Sequence, residues 1–581
     1  MKNKYILGLN VYHADSAACL MKNGEIIFAI EEERLNRVKH WAGFPVESIK
    51  ECLNYEKITI DDIDFVAINT NSYSNIIHKF FYGISNIKDI FFFFNKLINK
   101  KKETSINEII KKNFNTKKQF KFFYYDHHLC HLASSYFPSG FDKSLLVSID
   151  GFGDFVSTTA AFGNKSEIRI LNKVFFPHSL GIFYQTFTQF LGFKNYGDEY
   201  KVMGLSAYGK NTFENRLKKI IKIKASEFRL NLEYFNHHKK IVSLNLNNSS
   251  PYIADLFTRH MCKLFPEINA YNNIIDQEKI DLAFGVQKEY EDAIIRYISH
   301  YKKKTQSDYL SISGGCAMNS LANGKILKEL KFKKVYIPPS PGDSGGATGA
   351  SILCYLNNFN KKTFFNIGAY IGNSYEYCDV EKLIKNKLLD RQNISYKNLT
   401  IDEITKITVQ ALMNNKVVGW YQGRMEWGPR ALGNRSIIAN PGCKEMKSII
   451  NRKIKRRESF RPFAPSILYE KVKDWFEMDV HSPFMSIVVK IKKDKRNLIP
   501  AVAHEDGTGR LQTVTRKENL IYYNLIESFE KKTGIPMLLN TSFNENEPIV
   551  NTHEEALDCF LRTDMDVLIM DNFILERNNK N

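Results

Sequence analysis

The N-terminal segment is built from short apolar runs broken by polar turns. Tyr5–Asn10 reads as a strand, a polar turn follows, and a second strand passes through Cys19 and Leu20. Asn23-Gly24 marks a two-residue hairpin, and Ile26–Ile30 makes a third strand. The same order returns about 140 residues later. Leu145–Asp150 is followed by the turn Gly151-Phe152-Gly153-Asp154, a strand through Ala160 and Ala161, the pair Gly163-Asn164, and Ile168–Val174. A repeated meander predicts a duplicated domain.

In each copy the first strand ends on a residue with a polar tip, Asn10 or Asp150, followed by small and polar residues able to approach a phosphate. Two such hairpins facing each other predict an actin-like, sugar-kinase-like (ASKHA-type) α/β architecture with nucleotide in the cleft between the halves. Downstream, the strand Tyr309–Ser313 runs into Gly314-Gly315-Cys316-Ala317-Met318-Asn319, and Val335–Ile337 leads into Pro341-Gly342-Asp343-Ser344-Gly345-Gly346 and an Ala-rich helix. Glycines between a strand and a helix N-terminus let backbone N–H groups approach a phosphate or adenosine, so Gly314, Gly315, Asn319 and Gly342 are candidate adenylate-binding positions. No Walker motif accompanies them. The polar, basic stretch from Asn357 predicts a linker over 357–364, which separates a domain at 1–356 from a second α/β domain at 365–581. That second domain opens with a helix over Ile401–Asn414 and a strand over Val417–Tyr421.

Composition narrows the class. Of 581 residues, 43% are hydrophobic and 25% charged, which excludes a disordered chain. The 82 basic against 63 acidic residues give a net charge of +19, which suits anionic ligands. Short clusters such as Lys100-Lys101-Lys102 and Lys111-Lys112 are solvated faces, and no nucleic-acid partner is expected. The nine cysteines form no C-x-x-C pair, and the N-terminus passes into the first strand without a signal-peptide core, so a reducing cytoplasm is expected. The apolar run Ile90–Phe94 is far shorter than a membrane span.

Two constellations carry chemistry. His127 and His131 in Asp126-His127-His128-Leu129-Cys130-His131 are four apart, so on a helix both imidazoles leave one face and can reach one metal ion. Asp150 and Asp343 can complete a His2Asp2 set of hard oxygen and borderline nitrogen ligands suited to Fe(II), Mn or Zn. The glutamate of an H-E-x-x-H protease is absent. The second constellation is cationic. Arg424, Arg430 and Arg435 lie in the run Gly423–Ser436, followed by Lys453, Lys455, Arg456, Arg457 and Arg461. Set among Gly, Pro and aromatics, they look built to clamp dense negative charge. Asp506-Gly507-Thr508-Gly509-Arg510 and Leu539–Asn544 add an arginine and neutral hydrogen-bonding groups.

These motifs, together with Gly8–Leu20, Glu31-Glu32-Glu33-Arg34, Lys39–Pro45, Lys201–Leu205, Gly314–Asn319, Trp427–Ser436, Phe460–Ser466 and Asn540–Asn544, resemble the O-carbamoyltransferases of NodU/CmcH type over nearly the whole chain. The segment Gly204–Gly209 departs from the family, which usually has Ala-Pro where Ser206 and Ala207 stand. The resemblance implies an N-terminal half similar to the actin-like threonylcarbamoyl transferase and a C-terminal half similar to the YrdC-type threonylcarbamoyl-adenylate synthases. It implies His127, His131, Asp150 and Asp343 as ligands of a divalent metal, with Fe(II) expected. It also implies Arg430, Lys455, Arg461, Arg510, Asn540 and Ser542 as positions that bind carbamoyl phosphate and ATP, the ATP accompanied by Mg.

The reading that follows is a carbamoyltransferase that makes carbamoyl adenylate in the C-terminal domain and passes the carbamoyl group to an acceptor hydroxyl at the metal site. His13 is the candidate base and Lys39 the group that polarises the carbonyl or phosphate. The alternatives are a tRNA threonylcarbamoylation-type enzyme and a non-catalytic nucleotide sensor. Neither the acceptor nor the oligomeric state is legible in the sequence. The aromatic and basic segment 90–113 is the place to look for an acceptor contact.

Overall fold

The chain divides into two compact units, Met1–Ile367 and Gly368–Asn581. The computed structural model describes residues 3–85, 100–239, 249–359, 365–375, 380–389, 393–458 and 460–577. The apolar run 90–94 and residues 360–364 of the expected linker lie outside the described residues. Among the described residues no helix is long and apolar enough to cross a membrane.

The first unit holds two five-stranded sheets of one topology. The first is made of β1 (Tyr5–Asn10), β2 (Ala17–Lys22), β3 (Glu25–Glu31), β4 (Phe65–Ile68) and β5 (Lys121–Tyr124), in the order β3-β2-β1-β4-β5. The second uses β6 (Lys143–Gly153), β7 (Val156–Asn164) and β8 (Glu167–Phe175). After the short hairpin β9 (Ile221–Ile223) and β10 (Phe228–Leu230), it adds β11 (Tyr309–Ser313) and β12 (Lys334–Tyr336), in the order β12-β11-β6-β7-β8. In both, the meander is antiparallel and the two outer strands are parallel to its first strand. Topology thus carries the repeat that the hydrophobic pattern announces.

β1 is buried at every position, as a strand covered on both faces must be. The helix Val46–Glu56 packs on β2 and β3, and the helix Gly345–Phe359 lies on β1, β2 and β4. The helix His127–Tyr136 follows β5, and its counterpart Gly345–Phe359 follows β12; the two pack against each other. Their approach depends on Gly349, where a Cβ would fall 1.9 Å from the carbonyl oxygen of Cys130. The two repeats are therefore joined close to the histidines.

Two sequence boundaries shift. β6 runs on through Gly153, but its ladder with β7 breaks between Ile149 and Gly153, so the reversal falls at Asp154 and Phe155, both at positive φ. Asp150 thus sits inside a bulge rather than at a strand end. Asn357–Phe359, read as the start of a linker, are the last turn of the Gly345–Phe359 helix.

The second unit is a nine-stranded mixed sheet. Its strands are β13 (Ile394–Asn398), β14 (Val418–Tyr421), β15 (Arg435–Ala439), β16 (Ala464–Leu468), β17 (Ile487–Lys490), β18 (Thr508–Val514), β19 (Met537–Ser542), β20 (Val567–Met570) and β21 (Phe573–Arg577), ordered β13-β21-β20-β14-β15-β19-β16-β18-β17. The helix Ile401–Met413 starts at a capping box formed by Thr400 and Glu403. It packs against Leu520–Thr533, and the two contribute Leu412, Tyr522 and Phe529 to a core with Trp420, Ile438, Leu538 and Ile569. β15, β16, β18 and β19 are adjacent, so their ends bring together four segments that the sequence keeps far apart.

Candidate functional site

Asp126 caps the first turn of the His127–Tyr136 helix by accepting the Leu129 N–H at 3.0 Å. Asp154, at the reversal after β6, accepts the His127 N–H at 2.8 Å and the Asn71 N–H at 3.0 Å, which ties the helix start to the second repeat. Held this way, His127 and His131 aim their Nε2 atoms at one point, 3.0 Å apart. Asp150 Oδ2 lies 3.4 and 3.0 Å from them, and Asp343 Oδ1 3.4 and 3.5 Å. The other Asp150 oxygen accepts the Gly151 N–H at 2.7 Å, a bond that the bulge makes possible.

The four groups fit a metal ion. Adjacent positions in a shell of about 2.1 Å radius lie ~3.0–3.4 Å apart, which is the spacing of these donors. Both imidazoles are buried, and Asp343 Oδ1 is buried without a hydrogen-bond partner among the described residues. Burial opposes the charged form of His127, yet the carboxylates of Asp150 and Asp343 hold its pKa well above the ordinary imidazole value. Burial likewise opposes ionised Asp150, and the two imidazoles hold it well below the usual carboxylate range. The carboxylates are thus ionised at neutral pH, and a cation can displace the protons they stabilise. His128 faces the other way, its rings bonded to Ser148 Oγ and the Val156 carbonyl at 2.9 Å each. Burial and the two neighbouring imidazoles push it down to about 3, so it is a neutral structural group.

His13 stands at the edge of this cluster, with Nδ1 3.9 Å from Asp343 Oδ2 and its ring centroid 5.0 Å from that of His127. Burial, then the charge of His127, lowers its pKa. Asn10, the topological counterpart of Asp150, shapes the His13 turn by donating to the Ala14 and Asp15 carbonyls at 3.0 and 2.9 Å. Lys39 is exposed, and its charge acts on Glu33. The glycine loops converge as well. Gly314 donates to the Pro341 carbonyl at 2.7 Å, and a Cβ on Gly315 would lie 3.0 Å from Asp150 Oδ1. Gly342 lies against Gly315 and Met318. Asn319 is used differently: it caps the helix Ser320–Leu330 and pairs with the Gln287 amide at 3.0 Å.

Sequence reasoning missed a second group beside His13. His40 Nδ1 is 2.8 Å from Asp15 Oδ1, and Glu33 accepts the His40 N–H at 2.9 Å. Asp15, Glu33 and His40 also lie within reach of one cation. Although burial disfavours its charge, Asp15 raises the His40 pKa to about 9. The residues of this group lie in the segments Gly8–Leu20, Glu31–Arg34 and Lys39–Pro45, which the sequence marked through the family resemblance without assigning them to one site. Of the run Glu31–Glu33, Glu32 is occupied with the Ser48 N–H at 2.7 Å and the Glu47 N–H at 3.1 Å.

In the second unit the arginines converge. Arg510 leaves β18 into a region where burial, then the charges of Arg430 and Arg457, hold its pKa well below the usual guanidinium value. Such crowding of like charge is unfavourable unless an anion answers it. Arg457 stands over the Phe463 ring at 4.7 Å. The loop carrying Arg430 is shaped by buried Glu426, which accepts the N–H groups of Leu432, Asn434 and Arg435 at 2.8, 2.9 and 3.1 Å. Asn540 braces the same loop by donating to the Ala431 carbonyl at 3.1 Å, and bonds Ser466 and Gln512 at 3.1 and 2.9 Å. Lys455 and Ser542 do meet, but the buried Lys455 ammonium is surrounded by the Ser542 and Asn544 carbonyls at 2.7 Å, Asn544 Oδ1 at 2.6 Å and Ser542 Oγ at 3.3 Å. Arg461 pairs with Glu458 at 2.7 Å. Arg424 and Arg435 serve the backbone, donating to the Ile371 and Gln422 carbonyls at 2.6 and 2.8 Å.

Comparison with known proteins covers both units. Residues 5–352 match the family model described as carbamoyltransferase N-terminus, and residues 409–577 match carbamoyltransferase C-terminus. An uncharacterized protein of Synechocystis is 34% identical over 99% of this chain and 97% of its own length. Nodulation protein NolNO of Sinorhizobium fredii is 33% identical over 98% of this chain and 80% of its own. Nodulation protein NolO of Bradyrhizobium diazoefficiens is 35% identical over 78% of this chain and 79% of its own. Among solved structures, HypF of T. kodakarensis aligns with 62% of this chain and 49% of its own at 13% identity and a TM-score of 0.31, a likeness too loose to carry the fold. The two family matches together span most of the chain, and this protein is a transferase enzyme of the carbamoyltransferase family.

Proposed function

We propose that this enzyme is an O-carbamoyltransferase that activates its carbamoyl group in the second unit and transfers it in the first. The observation that carries the proposal is the separation of two opposite chemistries: three crowded guanidiniums in one unit and a His2Asp2 cluster in the other. In the YrdC-like second unit, water first hydrolyses carbamoyl phosphate to carbamate and inorganic phosphate; a carbamate oxygen then attacks the α-phosphorus of Mg-bound ATP, and pyrophosphate departs with the electron pair of the broken P–O bond. Arg430, Arg457, Arg461 and Arg510 answer the charge on the phosphates. Lys455, Asn540 and Ser542 hold the loops on which those groups depend.

In the actin-like first unit, Gly314, Gly315 and Gly342 let the backbone approach the carbamoyl adenylate. An acceptor hydroxyl attacks the carbamoyl carbon, the bond from that carbon to the phosphate oxygen breaks, and AMP leaves. His13 takes the hydroxyl proton. Lys39 is the candidate to polarise the carbonyl or phosphate. A divalent cation, Fe(II) by family resemblance, would be held by His127, His131, Asp150 and Asp343 and would supply Lewis-acid charge beside the adenylate phosphate. The acceptor is a hydroxylated small molecule or glycan, and the chain works in the cytoplasm.

The test separates the half-reactions. With ATP and carbamoyl phosphate, His127→Ala retains pyrophosphate release but loses bound metal and carbamoylation of acceptors in a metabolite extract. Loss of both half-reactions together refutes separate sites. Use of threonine and bicarbonate with tRNA in place of carbamoyl phosphate would identify the threonylcarbamoylation-type enzyme instead.

A further inference from the structure

Beside Arg510 lies a group of the opposite hydrogen-bonding character, His504. The residue begins the turn 504–508 that leads into β18, closed by the Gly507 N–H on the His504 carbonyl at 3.0 Å and the His504 N–H on the Thr508 carbonyl at 2.8 Å. Its tautomer follows from the neighbouring bonds. Thr508 Oγ1 donates its single proton to Asp506 Oδ1 at 2.7 Å, so it can only accept from His504 Nδ1, 3.1 Å away. The ring proton therefore sits on Nδ1, and Nε2 carries a lone pair. That atom is buried and has no hydrogen-bond partner among the described residues. Burial, opposed by Asp506 and aided by the charges of Arg510 and Lys447, pushes its pKa down to about 4 and keeps the ring neutral at physiological pH.

A buried acceptor with nothing to accept is costly and points to a missing donor. Guanidiniums supply donors only, and they recognise phosphate oxygens of any acyl phosphate equally well. What sets carbamoyl phosphate apart from acetyl phosphate or bicarbonate-derived anions is its amide NH2, which needs an acceptor. We propose that His504 Nε2, oriented by the Thr508–Asp506 chain, accepts a hydrogen bond from the carbamoyl NH2 and so selects the carbamoyl group within the arginine site. This rests on the reading of the second unit as the site that activates carbamoyl phosphate. His504 is a specificity-determining residue in this proposal, and Thr508 and Asp506 are positioning residues.

The experiment measures ATP-dependent pyrophosphate release from the full chain with carbamoyl phosphate. Hydrolysis of acetyl phosphate, which has no N–H, and inhibition by inorganic phosphate are measured alongside. His504→Phe is expected to lower kcat/KM for carbamoyl phosphate roughly 10- to 100-fold, with the phosphate inhibition constant and the acetyl phosphate rate within about twofold of the parent. Thr508→Val, which frees the tautomer but keeps the shape, is expected to give a smaller loss of the same kind, and Thr508→Ser to restore it. An unchanged kcat/KM for carbamoyl phosphate in His504→Phe overturns the inference, as does an equal loss in all three readouts. Absence of carbamoyl-phosphate-dependent pyrophosphate release in the parent enzyme instead overturns the underlying reading of the second unit.

Discussion

Gly153 offers a sharp test of the metal cluster, because it lies outside the set of ligands. It ends the bulge of β6, and a Cβ placed on it would lie 2.0 Å from Cδ2 and 2.2 Å from Cγ of His127. Ordinary contact starts at 3.4 Å, so in Gly153→Ala the ring must retreat by roughly 1.4 Å or the bulge must open. A metal bond tolerates only about 0.2 Å of such change. The strain of overpacking is ~1–3 kcal/mol, modest against the stability of a unit of this size, so the fold survives while one ligand is displaced. The variant is expected to bind Fe(II) or Mn at least ~10-fold more weakly and to lose acceptor carbamoylation in proportion. Metal content after dialysis at fixed free metal measures the first, and transfer of labelled carbamoyl to extract metabolites measures the second. Pyrophosphate release by the second unit serves as the internal control. Parental metal content in a folded Gly153→Ala protein would refute the geometry described for the cluster.

Arg510→Met relieves the crowding of three guanidiniums, so thermal unfolding of the second unit is expected at an unchanged or higher temperature while pyrophosphate release falls ~100-fold; a lower Tm would show that the arginines are structural. Lys455→Met should do the reverse, leaving the Ser542 and Asn544 acceptors unmet at a cost of ~3 kcal/mol and lowering Tm by roughly 5–10 °C, read by calorimetry. The His40–Asp15 pair makes stability depend on alkaline pH. With the folded pKa at about 9 against 6.5 unfolded, the contribution is complete below pH 6.5 and is lost as pH rises through 9. Its ceiling is ~3 kcal/mol, reduced by the solvent screening of a ring that is 31% exposed. Denaturant midpoints should therefore fall between pH 6.5 and 9 in the parent and stay flatter in His40→Gln; parallel curves would refute the pairing.

The sequence by itself determined what depends on local periodicity. The strand runs, the Asn23-Gly24 hairpin, the repeated meander and the i, i+4 histidines all follow from interactions between near neighbours, and such patterns survive translation into structure. His127 and His131 were legible because helical spacing alone puts them on one face. Asp150 and Asp343 could be named as companions, but only the parallel pairing of β11 with β6 and β12 explains why the loop after β12 meets the bulge in β6. Tertiary structure decided the rest, because the side chains that bind ligands are the same types that satisfy buried backbone. Arg424, Arg435, Lys455, Asn319 and Asn540 carry the chemistry of a binding site and spend it on carbonyls and amides of their own chain. Arg457, part of the basic run in the sequence, donates to Asn451 Oδ1 at 3.3 Å while its charge still acts on Arg510, and His504, which the sequence did not single out, keeps a buried Nε2 with no hydrogen-bond partner among the described residues. A buried polar group must find a partner somewhere, and only the packed chain shows which groups found one internally and which are left for a ligand.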